Sequence, residues 1–157
     1  MLTAPHAFTG AAIGVATGNP ILGFVGGVVS HYLLDAIPHT DPGTWHYDEP
    51  FPHRVHAGDM ALGVLDLTAT FYGLLLIAGQ SPVIAAAPIA GMVGAILPDV
   101  IGIAPLFWNQ LATVPWLKRY YDFTKQYHRT AAPHQLFFGV FTQALVLLVA
   151  VWYLLGS

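Results

Sequence analysis

Apolar residues fall in five runs, at 5–18, 20–37, 56–78, 82–97 and 133–155, separated by polar or breaker-rich stretches. Roughly 20 apolar residues cross a bilayer as a helix, so the pattern predicts an all-α, polytopic membrane bundle of about five spans. The third and fifth runs are long enough by themselves, and the first is short. Gly18-Asn19-Pro20 and Gly79-Gln80-Ser81-Pro82 are compact breaker clusters that predict tight helix-to-helix reversals. By alternation, the two long connections, 38–55 and 99–132, fall on the same side, and residues 1–157 form a single integral membrane domain.

An internal repeat agrees with this alternation. The stretch 27–37 aligns without gaps on 91–101, sharing glycine, valine, leucine, aspartate and isoleucine positions, and Ala4-Pro5-His6 recurs as Ala132-Pro133-His134. The first pair reads as helix ends arriving at one face. The second reads as helix starts leaving it, with proline suited to a first helical turn.

Composition strengthens the membrane reading. Hydrophobic residues make up 55% of the chain and charged residues only 8%, against roughly a quarter in an ordinary soluble domain, and the mean hydropathy is +0.61. All the basic residues, Arg54, Lys118, Arg119, Lys125 and Arg129, lie in or beside the two long connections. That side is therefore expected to be cytoplasmic, together with the N-terminus. The start, Met1-Leu2-Thr3-Ala4-Pro5, lacks a basic n-region, so the first run is expected to be retained. A net charge of −3 argues against a nucleic-acid partner. With no cysteine, any metal site must use nitrogen and oxygen ligands.

Such ligands gather at the cytoplasmic ends of the runs. His31 and Asp35 are four apart and share a helix face. His53, His56 and Asp59 recur at intervals of three, and Asp66 continues that stripe deeper. His6 opens the first run, Asp99 closes the fourth, and His128 and His134 bracket the start of the fifth. Carboxylates inside a bilayer are costly unless partnered, which makes these residues functional candidates. Bland roles compete: His39 and His46 read as residues of a solvated loop beside Asp41, Asp48 and Glu49, and Asp66 as a partner of Thr70 or of nearby backbone. In the second connection, Trp108, Trp116, Tyr120, Tyr121, Phe123 and Tyr127 interleave with Lys118, Arg119 and Lys125, a composition suited to the headgroup layer.

Three stretches carry a family resemblance: Ser30-His31-Tyr32-Leu33-Leu34-Asp35, Gly94-Ala95-Ile96-Leu97-Pro98-Asp99, and His128-Arg129 followed by His134. They resemble the signatures of the bacterial inner-membrane metal-dependent hydrolase family, and the first is similar, more distantly, to an element of zinc-dependent phospholipases C. The chain departs from the family pattern at Ile101 and Gln135, in the six-residue step from His128 to His134, and in motif order. The resemblance implies an inner-membrane hydrolase that uses zinc or another divalent metal, one or two ions.

Imidazole and carboxylate without thiolate suit such ions. His31, Asp35, Asp99 and His134 are the expected inner ligands, with His6, His56 and Asp59 completing a second ion or orienting the first. Arg129 is expected to clamp a phosphate oxygen, with His128 beside it as a second catalytic residue. The expected function is hydrolysis of a small-molecule or lipid phosphoester at the cytoplasmic face, with membrane lipid as surroundings or substrate. A metal or proton transporter would use the same residues as a pathway, though the outer halves of the runs are nearly apolar. A haem bundle fits poorly, since carboxylates are poor haem ligands. A non-catalytic metal-stapled membrane protein is the remaining alternative.

Overall fold

The computed structural model describes residues 1–41, 49, 51–52 and 55–157, and among these no strand forms. His46, Asp48, His53 and Arg54 lie outside the described residues. The helices are α1 (Thr3–Thr17), α2 (Pro20–Asp35), α3 (Ala57–Ile77), α4 (Ala86–Phe107), α5 (Asn109–Ala112), α6 (Pro115–Tyr127) and α7 (Leu136–Leu155), the last preceded by a 3-10 turn at Pro133–Gln135.

Three helices, α3, α4 and α7, are long and apolar enough to cross a membrane. The expectation of about five spans is supported only that far. α1 and α2 have 15 and 16 residues, or about 22 to 24 Å at 1.5 Å per residue, short of a hydrocarbon core of roughly 30 Å.

The fourth helix also outruns its expected end. Pro98 cannot donate to the carbonyl of Gly94, yet α4 continues through Pro98 and Pro105 to Phe107. The Tyr120 hydroxyl donates to the Pro98 carbonyl at 3.2 Å, bracing α4 beside this break in the ladder. Tyr120 also meets the Tyr32 hydroxyl at 2.9 Å, which ties α6 to both α2 and α4. The second connection thus contains an amphipathic helix, α6, that the apolar runs did not reveal.

Helices α1, α2 and α4 pack backbone to backbone. A methyl group placed on Gly91 would lie 2.0 Å from the Gly10 carbonyl oxygen, and one on Gly27 would lie 2.2 Å from that of Gly91. Only glycine permits this approach, the small-residue packing typical of helices that associate in lipid. α1 runs antiparallel to α4, with Gly14 against Ala87, and α2 runs parallel to it, so the two repeat copies lie side by side. The α1–α2 reversal is built as its sequence implies. Gly18 adopts φ 58°, and the Asn19 side chain accepts from the N–H groups of Ile21 and Leu22 at 2.9 and 3.2 Å.

The outer surface is apolar. Phe137, Leu76 and Trp152 are 85%, 79% and 77% exposed. Few charged groups interrupt this surface along α3, α4 and α7. Bare hydrocarbon on this scale fits lipid contact, and membrane association follows from it together with the three long helices.

Candidate metal centre

The cluster sits where α2 ends, α1 begins and α4 passes. Asp35 is its hub. The Met1 amino group donates to Asp35 Oδ1, and His6 Nε2 lies 3.1 Å from the same oxygen. His31 Nε2 and His128 Nδ1 lie 3.3 and 3.1 Å from Asp35 Oδ2, and His39 Nε2 is 4.0 Å from Oδ1. A carboxylate this buried persists only with such a shell of donors.

Two groups of potential ligands share that hub. His6, His31 and Asp99 offer ligand atoms within 4.8 Å of one another, and Asp35, His39 and His128 do the same. The His6 and His31 rings stack with centroids 4.4 Å apart, and His31 Nε2 is 3.6 Å from Asp99 Oδ1. His31 is oriented by its other nitrogen: Nδ1 donates to the Ala95 carbonyl at 2.9 Å. A carbonyl can only accept, so Nδ1 carries a proton and Nε2 is the nitrogen turned toward Asp35 and Asp99, the orientation in which a second hydrogen bond presents a histidine to a metal.

Backbone straps bring in the second group. Arg129 N–H donates to the Asp35 carbonyl at 2.8 Å, His39 N–H to the Arg129 carbonyl at 3.1 Å, and Ala131 N–H to the His39 carbonyl at 2.7 Å. This clips residues 36–41 to residues 128–131. α7 accommodates the strap at Gly139, where a methyl group would lie 2.3 Å from Thr40 Oγ1. Gln143 locks it, donating to the Thr40 carbonyl at 2.7 Å while accepting from Leu2 N–H at 3.0 Å.

The environment splits the loop residues in charge. Burial pushes the His39 imidazole down to about 4. For His128, burial also disfavours the cation, but hydrogen bonds to Asp35 and Asp41 outweigh it and raise its pKa above the ordinary histidine value. Asp41 is likewise pushed up by burial and pulled down further by His128, ending below the usual carboxylate range.

The residues fit a divalent ion on two counts. The donor set is nitrogen and oxygen only, and His6 Nδ1 is buried with no hydrogen-bond partner among the described residues, an arrangement that costs about 1–3 kcal/mol unless something takes it up.

His6, His31, Asp35 and Asp99 are brought together as the sequence suggested, and His128 joins them. His134 is exposed in the 3-10 turn and belongs to neither ligand group. His56 is also exposed, with Nε2 3.1 Å from Glu49 Oε1; it and Asp59 are likewise outside both groups. The Arg129 side chain is exposed. Asp66 pairs with Thr70 through its backbone carbonyl, which accepts from the Thr70 hydroxyl at 2.7 Å, and its carboxylate turns elsewhere. It caps α1 from a neighbouring helix, accepting from Thr3 N–H and from Ala4 N–H, the latter at 3.3 Å. His39 is the residue that sequence reasoning misplaced: it is fully buried, not part of a solvated loop. Its signal was its position four residues after Asp35.

A cavity of about 410 Å³ opens onto the cluster. Asp41, Asp59, Asp66, Asp99 and His128 line it, together with apolar residues of α3 and α4 that include Met60, Val64, Leu67, Ile103 and Phe107. Comparison with protein-family models, with curated proteins and with solved structures finds no match to this chain.

Proposed function

We propose that this protein is a membrane-embedded, metal-dependent hydrolase of a phosphoester. The carrying observation is the cavity: Asp99 from one ligand group and His128 from the other both face it. A metal that only stapled helices together would need no chamber beside it. The likeness of three sequence stretches to inner-membrane hydrolases supports the same reading.

His6, His31 and Asp99 would hold one zinc or similar divalent ion, with Asp35, His39 and His128 able to hold a second. A bound divalent ion supplies Lewis acidity and acidifies water toward neutrality. The chain's own residues supply the remainder. The Ala95 carbonyl fixes the His31 ring. Asp41, 3.3 Å from His128 Nε2, takes the proton of water as its oxygen bonds to phosphorus. The ester P–O bond breaks, and His128 gives its proton to the leaving oxygen.

For topology, we propose an inner membrane with the site and N-terminus toward the cytoplasm, as the basic residues of the two connections favour. α1 and α2 then form a hairpin that runs from the site to the far face. The test is metal content by mass spectrometry together with turnover of aryl and lipid phosphoesters, with and without chelator. Metal retained in the purified protein but no turnover on any phosphoester would overturn the enzyme reading.

A further inference from the structure

Contacts along the bundle fix the level of the cluster against each long helix. Asp66 meets the first residues of α1, nine residues into α3 from Ala57. Asp99 lies eight residues before the end of α4. Gln143, which holds Leu2 and Thr40, lies seven residues after the start of α7. At 1.5 Å per residue, all three helices extend past the cluster by about 10 to 14 Å.

Apart from Asp59, those overhanging turns are apolar, and although α6 packs on Gly102 of α4, each helix leaves an apolar face uncovered. Phe137 and Phe141 on α7, Ile103 and Phe107 on α4, and Leu62 on α3 are all exposed, so the turns belong in hydrocarbon rather than in water. The cluster is therefore inset below the ends of these three helices. The cavity spans this overhang, and its walls Met60, Val64, Leu67, Ile103 and Phe107 are themselves between 44% and 58% exposed. The chamber thus opens sideways toward lipid as well as onto the ligands.

We infer that the gap between α3 and α4 is a lateral doorway for a lipid phosphoester, whose acyl chain lies against Val64, Leu67, Ile103 and Phe107 while its phosphate reaches Asp99 and His128. This rests on the hydrolase reading and adds the substrate class. A water-soluble phosphoester would have no use for an apolar approach to an inset site. The carboxylates Asp41, Asp59, Asp66 and Asp99 in the lining make the metal-free chamber hostile to an anion, so phosphate seating depends on the metal while chain seating does not.

The experiment uses the full chain, zinc-loaded, in nanodiscs containing phosphatidic acid with a diazirine on its acyl chain. Cross-links mapped by mass spectrometry should be enriched at Val64, Leu67, Ile103 and Phe107 over Phe137 and Trp152, which face lipid on the outside. Leu67→Trp, or Val64→Trp should the first fold poorly, should cut the cavity cross-links at least fivefold. The same variant should slow long-chain phosphatidic acid hydrolysis at least tenfold more than it slows aryl phosphate hydrolysis, with metal content retained. Cavity labelling no stronger than at Phe137 and Trp152, or unaltered by both tryptophan variants, overturns the doorway. Strong cavity labelling with no hydrolysis of either substrate instead overturns the enzyme reading and leaves the doorway standing.

Discussion

The Nε2 atoms of His39 and His128 lie 2.8 Å apart. His39 Nδ1 donates to the Ile37 carbonyl at 2.8 Å, so the neutral His39 ring meets His128 with a lone pair. His128 must then supply the proton, and its Nδ1 also faces a carboxylate, Asp35, at 3.1 Å. Both nitrogens of His128 are donors, and the ring is an imidazolium on the metal-free chain. A first ion at His6, His31 and Asp99 leaves that proton in place, ready for a leaving group. A second ion at Asp35, His39 and His128 has to displace it.

Calorimetry in buffers of different ionisation enthalpy should therefore show a proton released with the second metal equivalent that His128→Gln does not release. The sign with pH is fixed. His128 has a raised folded pKa, so the second equivalent binds more tightly as pH rises from 6.5 through that value. His39 is depressed to about 4 and needs no deprotonation. Its contribution to the metal-free fold is present above 6.5 and is lost as pH falls toward 4, because only the unfolded chain gains the proton.

Asp35→Asn should cost the metal-free protein about 3–5 kcal/mol, because it strips the partner from several buried cationic or donor groups at once. Thermal unfolding in detergent measures this. His31→Ala should lower metal content with a smaller loss of stability, and equal metal content in both variants and wild type would exclude the assignment.

The helix contact at Gly91 predicts a contrast between two similar changes. Gly91→Ala should destabilise by about 1–3 kcal/mol through overpacking, since the added carbon would meet the Gly10 carbonyl oxygen at 2.0 Å. Gly63→Ala, with nothing within 4 Å, should be neutral or stabilising by up to about 1 kcal/mol. Unfolding midpoints of the two variants decide it.

The sequence disclosed the helical runs and the His31–Asp35 pair because helix periodicity places residues four apart on one face. It concealed what depends on chain crossing. His39 is buried by the strap to Arg129 and Ala131, a pairing of segments ninety residues apart that no local pattern encodes. Proline at 98 read as a helix end, since the contacts that brace α4 there, such as the Tyr120 hydroxyl on the Pro98 carbonyl, come from another helix. His134 entered through motif likeness and repeat alone, and neither specifies which way a turn directs its side chain.

Asp66→Leu should separate scaffold from site. It removes the acceptor of two α1 N–H groups, and the loss of a cap costs about 0.5–2 kcal/mol. Metal content should be unchanged, and a large metal loss would place Asp66 among the ligands.

Because the chain contains no cysteine, single cysteines report its sidedness without background. Asn19→Cys and Ser157→Cys should react with an impermeant maleimide from one side of sealed vesicles, and Lys118→Cys from the other. Reaction of Asn19→Cys and Lys118→Cys from the same side would remove the α1–α2 hairpin from the far face.

The strap that joins Asp35 and His39 to Arg129 and Ala131 also dictates an order of maturation. As the ribosome delivers the chain, His6 and His31 emerge early, yet their group lacks a member until Asp99 is made, and Asp35 and His39 wait for His128. Neither nest of ligands can close around an ion while the nascent protein is still a two-helix hairpin. Metal capture is thereby postponed at least until α4 has been made, and at the second group until His128 has followed it.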